Sequence, residues 1–279
     1  MGREANWQIL GGYAGKVQRR GLAEFVTPIA VCVSEDRALD REKERSGTNP
    51  DPLHRIRWGA LMRLYRFLSA EYGFRSLQEK RLRIGRIEEL NDDFEFLGLA
   101  LAEKTDRIAL REVRRHLHVK SGVLCMSEAW DSPLMWAHYA ESHKGMVLGF
   151  DVPERAFYKV DYTGKRPSLA DMGLSALDDI TPEDIKRLTR TKADGWSYER
   201  EYRAYLALKD GVEINGAVHY FLPFSTNLRL REVIVGSRYK GKRQEVIDAV
   251  HDTTVEVYMA RGSFEEFRMV RQRQDRMWP

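Results

Sequence analysis

A chain of 279 residues, 43% hydrophobic and 32% charged, is long enough to bury a sizeable core and reads as a soluble globular protein. Its formal net charge of +4 is mild for this length, so composition alone does not point to nucleic acid, and no apolar run reaches the roughly eighteen residues of a membrane span. Cys32 and Cys125 give neither a metal spacing nor a disulfide framework, and residues 1–7 lack the basic-then-apolar order of a signal peptide, so a cytoplasmic protein with no membrane partner is expected.

Residues 1–55 read as an N-terminal extension. Glu24 to Val33 suits an edge strand because Pro28 interrupts it, Ser34 to Ser46 suits a solvated helix, and the turn-rich Gly47 to Pro52 marks a boundary. The main domain is expected over 56–262. Trp58 to Ala70 is periodic and suits a helix or a strand, and Leu77 to Gly85 suits a short helix running into a strand from Arg81. Asn91 to Glu95 has the chemistry of a turn, in which Asn and Asp bond their own backbone. Phe96 to Leu117 predicts one or two helices, with Leu97, Leu101, Ile108 and Leu110 inward.

Val123 to Ser127 predicts a buried strand. Ser132 or Asp131 caps a helix that Pro133 opens, running to about Ser142, where Gly145 stops it, and Met146 to Phe150 is the returning strand. Thr181 caps a second helix, expected to end near Lys192. Further strands fall over His219 to Phe224, Leu230 to Val235 and Thr254 to Met259, with a helix over Lys240 to Val250. Residues 263–279 read as a basic C-terminal tail, with Arg268, Arg271, Arg273 and Arg276 against Glu265, Glu266 and Asp275. Irregularly interspersed helices and strands favour an α+β class over a doubly wound sheet.

Trp196 to Leu208 carries the strongest candidate chemistry. As a strand it places Tyr198, Arg200, Tyr202, Ala204 and Leu206 on one face and Glu199, Glu201, Arg203 and Tyr205 on the other, with the second face expected to be the polar one. Two carboxylates two residues apart on a strand lie about 7 Å apart, close enough to serve one substrate and to perturb each other's proton affinity. A helix pairing Glu199 with Arg203 is the competing reading, and the aromatic content favours the strand. Elsewhere, His138 and His143 do not form a metal pair, Ser127 lacks a nucleophile elbow and no glycine-rich phosphate loop occurs, so no metal site, serine hydrolase or Walker fold is expected. Trp136, at helical spacing, reads as core ahead of a stacking platform.

Cys125-Met-Ser127, Leu134 to Tyr139, His143-Lys-Gly145, Leu148 to Asp151, Lys192, Trp196, Tyr198-Glu199, Glu201 and Arg203 occur in this order. Together they resemble a widespread bacterial and phage family known as a domain of unknown function, over about residues 62–260. The aromatic pair around Tyr65-Arg-Phe67 and the Asn91-Asp-Asp-Phe-Glu95 turn fit the same pattern, with Asp93 where that family has proline and Met126 where it has phenylalanine. The order Tyr65, Ser127, Glu201 also resembles the ADP-ribosyltransferase superfamily, which implies a mainly antiparallel, split central sheet flanked by helices.

That resemblance implies NAD as substrate, in an ADP-ribosyl transfer or NAD glycohydrolase reaction, and a role as a defence or toxin effector. It implies Glu201 as the carboxylate that stabilises the ribosyl cation and Glu199 as the group that orients or activates the acceptor, a protein or a nucleic acid. Tyr65 and Ser127 would hold the ribose, Tyr139 or Trp136 would stack on the leaving base, His138 would join the nucleotide site, and Lys192 or Arg203 would bind pyrophosphate. The alternative is a non-enzymatic nucleotide or nucleic-acid binding module. The enzymatic reading requires one concave pocket to collect Tyr65, Ser127, Tyr139 and Glu201.

Overall fold

The computed structural model describes residues 60–96 and 98–279; the expectations placed on residues 1–55 and on Leu97 lie outside the described residues. In chain order the strands are β1 (Leu61–Leu68), β2 (Arg81–Arg86), β3 (Ser121–Ser127), β4 (Met146–Pro153), β5 (Tyr158–Lys159), β6 (Asp161–Thr163), β7 (Thr191–Ala193), β8 (Glu201–Ala207), β9 (Val212–Ile214), β10 (Ala217–Pro223), β11 (Arg229–Val235), β12 (Glu256–Gly262) and β13 (Met269–Arg271). The helices are α1 (Ala70–Glu79), α2 (Lys104–Lys120), α3 (Pro133–Tyr139), α4 (Pro182–Leu188) and α5 (Arg243–Val250).

Eleven strands make one large, mainly antiparallel sheet, and β6 and β7 form a small parallel pair. The α+β class is therefore what the sequence predicts. The large sheet falls into two halves. One runs β13-β12-β11-β4-β1; the other contains β3 with β8 on one side and β2, β10 and β9 on the other. Full ladders hold β1 to β4 and β3 to β8, whereas β1 meets β3 at the single pair Tyr65↔Ser127. Beyond that pair the halves part, and a cleft opens between β1 and β3.

Hydrophobic alternation explains how the first half is covered. In β4 the side chains of Met146, Leu148, Phe150 and Val152 join the core shared with Leu77 of α1 and Val246 of α5. Val147 points the other way and packs with Phe67, Ile234 and the α3 residues Met135 and Trp136. A strand buried on both faces reads as a continuous apolar run, as Met146 to Phe150 does. α5 supplies the crossover between the parallel strands β11 and β12.

Several expectations are corrected. The helix capped by Ser132 ends at Tyr139, not Ser142, and Glu141, Ser142 and His143 take positive φ of 50°, 52° and 70°. Gly145 does not supply a left-handed cap; a Cβ there would lie 2.1 Å from the Leu68 carbonyl oxygen, so only glycine lets the loop pass beside β1. The helix opened by Thr181 ends at Leu188, leaving Lys192 on β7. Residues 263–279 are not a detached tail: β13 pairs with β12, and Trp278 is buried with its indole N–H donating to the Gly241 carbonyl at 2.9 Å.

Candidate functional site

Residues 194–199 form a 3-10 turn, Arg200 takes a left-handed φ of 45°, and β8 starts only at Glu201. The extended run expected from Trp196 is thus broken at the residue between the two acids. Glu201, Arg203 and Tyr205 still share one face, opposite Ser127, Cys125 and Val123 of β3. That face is polar in composition but turned inward: Glu199, Glu201 and Arg203 are 4%, 5% and 0% exposed.

Burying these charges is possible because they satisfy one another. The Arg203 guanidinium donates from Nε and Nη2 to the two oxygens of Glu201, at 2.9 and 2.8 Å, and from Nη2 to Glu95 at 2.7 Å. Its Nη1 donates to the Thr189 carbonyl at 2.7 Å. The Lys192 ammonium reaches Glu199 at 2.6 Å and both Glu201 and Glu95 at 3.2 Å. Glu95 arrives from the 91–95 turn, which Asp92 closes by accepting from the Phe94 N–H at 3.0 Å, as the turn chemistry predicts. Its Oε2 is buried and has no hydrogen-bond partner among the described residues.

The two acids respond in opposite directions. Burial raises the proton affinity of Glu201, but the charge and hydrogen bonds of Arg203, with Lys192 and the Cys125 thiol behind them, outweigh burial and hold its pKa down at about 2. For Glu199, burial outweighs Lys192 and Tyr139, with the Glu201 charge adding to it, and its pKa is raised. The Tyr139 hydroxyl donates to Glu199 at 2.5 Å and accepts from Asn91 at 2.6 Å; burial and then the Glu199 carboxylate push that phenol up. Lys192 is held cationic: burial lowers it, and Glu201, Glu95 and Glu199 together raise it further.

A cavity of about 240 Å³ lies in the cleft between the sheet halves. Tyr65, Ser127, Tyr139 and Glu201 all line it, together with Glu199, Lys192, Glu95, Cys125, Arg66 and Asn91. No family model, curated protein or solved structure matches the chain. The site therefore rests on its own geometry, and among the described residues no group of three or more His, Cys, Asp or Glu is placed to hold a metal ion.

Three candidate residues fall elsewhere. Trp136 is fully buried behind the cleft, edge-on to Phe67 at 5.6 Å between ring centres, with its indole N–H on the Trp130 carbonyl at 2.6 Å, so it is core. His138 is exposed and does not line the cavity, its Nδ1 2.9 Å from the Tyr198 hydroxyl. Arg203 has its donors on protein acceptors beneath the cavity floor and cannot grip a pyrophosphate. Ser127 lines the cavity but gives its hydroxyl hydrogen to the Glu199 carbonyl oxygen at 2.7 Å, which ties the 3-10 turn to β3.

Glu95, Asn91, Cys125 and Arg66 are site residues that the sequence reading quotes only within motifs, with no role assigned. Glu95 and Asn91 had a visible signal, the turn they bracket, without any sign that the turn folds over β8. Cys125 had the Cys125-Met-Ser127 block as its signal; burial and the Glu201 charge push its thiol well up, so it remains a neutral thiol beside the carboxylate. Arg66 donates to the Cys125 carbonyl at 2.6 Å, filling an unpaired position on β3 where the halves separate.

Proposed function

We propose that the cleft binds the nicotinamide–ribose part of NAD and breaks the bond between them, in a transferase or glycohydrolase of ADP-ribosyltransferase-like fold. The observation that carries this reading is the cavity at the parting of the sheet, which gathers Tyr65, Ser127, Tyr139, Glu199 and Glu201 from separate elements. At about 240 Å³ it suits a nucleoside-sized fragment, with the remainder of the dinucleotide outside. In the step proposed, the base leaves with the bonding electron pair, positive charge builds on the ribose, and water or an acceptor hydroxyl attacks the anomeric carbon.

The geometry redistributes the roles that resemblance suggests. Glu201 already accepts from Arg203 and Lys192 on both oxygens, so its charge is largely neutralised, and it serves as the fixed base of the cluster. Glu199 is the better candidate for the working group: it faces the cavity, carries a raised pKa and has a phenol on one oxygen and an ammonium on the other. In this reading Glu199 takes the proton of the attacking nucleophile, and Tyr139 holds the carboxylate in place.

The test is release of nicotinamide from NAD by the purified full chain, followed chromatographically. Loss of release in Glu199→Gln with folding retained supports the reading; unchanged release in that variant overturns it. A second reading, nucleotide binding without turnover, is favoured by the saturation of Glu201. It predicts calorimetric binding of NAD with no nicotinamide released.

A further inference from the structure

Away from the cleft, α2 carries the largest net charge of the described elements. Lys104, Arg107, Arg111, Arg114, Arg115 and Lys120 stand against Asp106 and Glu112, so this one helix holds an excess of four positive charges, equal to the formal net charge of the whole chain. The histidines do not add to it at neutral pH: burial, then Lys120, lowers His116, and burial, then Arg86, lowers His118.

The charge is also organised. Lys104, Arg107, Arg111 and Arg115 are all exposed and recur every three or four residues, forming a row about 16 Å long on the outer face. Ala109, Leu110, Val113 and Leu117 occupy the opposite face and are buried. Lys104 and Arg111 have no carboxylate within ion-pair distance among the described residues. Arg107 donates to the carbonyls of Leu101 and Ala102, and Arg115 has one exposed partner, Glu112 at 3.5 Å. Lys120 adds an exposed cation at the C-terminal end of the helix, off the row, and the Leu208 N–H on the Lys120 carbonyl brings exposed Lys209 next to it.

This arrangement works against the helix that bears it. Like charges four residues apart repel, as Arg107, Arg111 and Arg115 do, and cations in the first turn oppose the helix dipole, as Lys104 and Arg107 do. A polyanion laid along the row removes both penalties. From this we infer that the outer face of α2 is a docking surface for a nucleic-acid backbone, read through phosphate and without base contacts. The apolar face of α2 is committed to the core, and Val119 is the one large apolar side chain the helix exposes, too little to enter a bilayer, which sets a nucleic acid above an anionic membrane. The buried Lys192 and Arg203 take no part.

The surface adjoins the cleft. His118, in the last turn of α2, accepts at Nδ1 from the Glu88 N–H at 3.1 Å, one residue before Glu89 and Leu90, which line the cavity wall. The inference does not require NAD turnover, because binding is measured without it.

The experiment is fluorescence anisotropy of the full chain with labelled single-stranded DNA, single-stranded RNA and duplex DNA of about twenty nucleotides, over a salt series. Engagement of four phosphates gives a slope of log affinity against log salt of about −3 on a single strand, and Arg111→Gln with Arg115→Gln reduces it by about 1.4. The same pair is expected to weaken binding at least tenfold at low salt, whereas Arg273→Gln with Arg276→Gln in the C-terminal segment leaves it unchanged. Thermal melts of both variants check that each is folded. Binding that ignores the α2 pair, that tracks the C-terminal pair instead, or that appears with phosphatidylserine vesicles and not with oligonucleotides overturns the inference. The three oligonucleotides distinguish which backbone is preferred.

Discussion

Glu201→Gln and Glu199→Gln are nearly the same chemical change two residues apart, yet the cluster predicts different consequences for stability. The folded pKa of Glu201 is about 2 against an ordinary 4.5. A depressed carboxyl stabilises the fold fully above its unfolded pKa and loses that contribution as pH falls through the folded one. A drop of that size corresponds to roughly 3 kcal/mol at pH 7, shrinking to about 1.5 kcal/mol at pH 3. Glu201→Gln should cost about that at neutral pH, and more where Arg203 is left with Glu95 as its one carboxylate. For Glu199 the pKa is raised, so ionising it in the fold works against stability as pH rises through the ordinary carboxylate range, and its glutamine variant should cost clearly less. Urea unfolding of wild type and both variants at pH 7 and pH 3 makes the comparison. If the two variants lose equal stability at pH 7, or the Glu201→Gln deficit fails to shrink at pH 3, the division of roles within the cluster is wrong.

Two further outcomes concern the scaffold. Gly145→Ala places a methyl 2.1 Å from the Leu68 carbonyl oxygen and 3.0 Å from the Ala140 backbone, so it should destabilise by at least about 2 kcal/mol and lower the melting temperature by several degrees. Truncation after Gly262 removes β13 and the buried Trp278 and should cost about 3–5 kcal/mol in thermal or urea unfolding, whereas a detached tail would be removed without effect.

The elements of this fold were legible where one physical signal dominated. Ser132 and Pro133 fixed the start of α3, Thr181 that of α4, and the apolar run at Met146, just after Gly145, read as the returning strand that β4 is. The pairing of strands was not legible, because a period of two gives a strand its faces but not its neighbours. Trp196 to Leu208 illustrates the limit. Its alternation correctly grouped Glu201, Arg203 and Tyr205, but a composition rich in charge pointed to solvent. The deciding partners, Lys192 and Glu95, lie 9 and 106 residues away from Glu201, and only tertiary folding turns an apparently wet face into the interior. Trp136 failed as a site residue for the converse reason: helical spacing cannot tell which side of α3 meets the cleft and which meets β1.

The cluster is left one charge short of balance. Glu95, Glu199 and Glu201 face Lys192 and Arg203, and one buried oxygen of Glu95 has no hydrogen-bond partner among the described residues. A proton on Glu199 can supply the missing positive charge, which is the sense of its raised pKa; so can a cationic ligand such as the oxidised nicotinamide ring. The two compete for the same electrostatic vacancy. Binding of NAD should therefore displace the Glu199 proton, tighten as pH rises through that raised pKa and level off above it, by at most tenfold per pH unit. Lys192 is held cationic and Glu201 anionic across this range, and the Tyr139 phenol stays neutral, so the titration is assigned to Glu199 on its raised pKa, and the Glu199→Gln variant checks that assignment. Calorimetry in buffers of different ionisation enthalpy measures the proton directly: release on binding NAD, little on binding the reduced form, whose dihydronicotinamide ring is uncharged, and none in Glu199→Gln. Proton uptake, or equal release with both forms of the ring, would mean that the ligand does not meet the carboxylates and that the cleft is read by some other group.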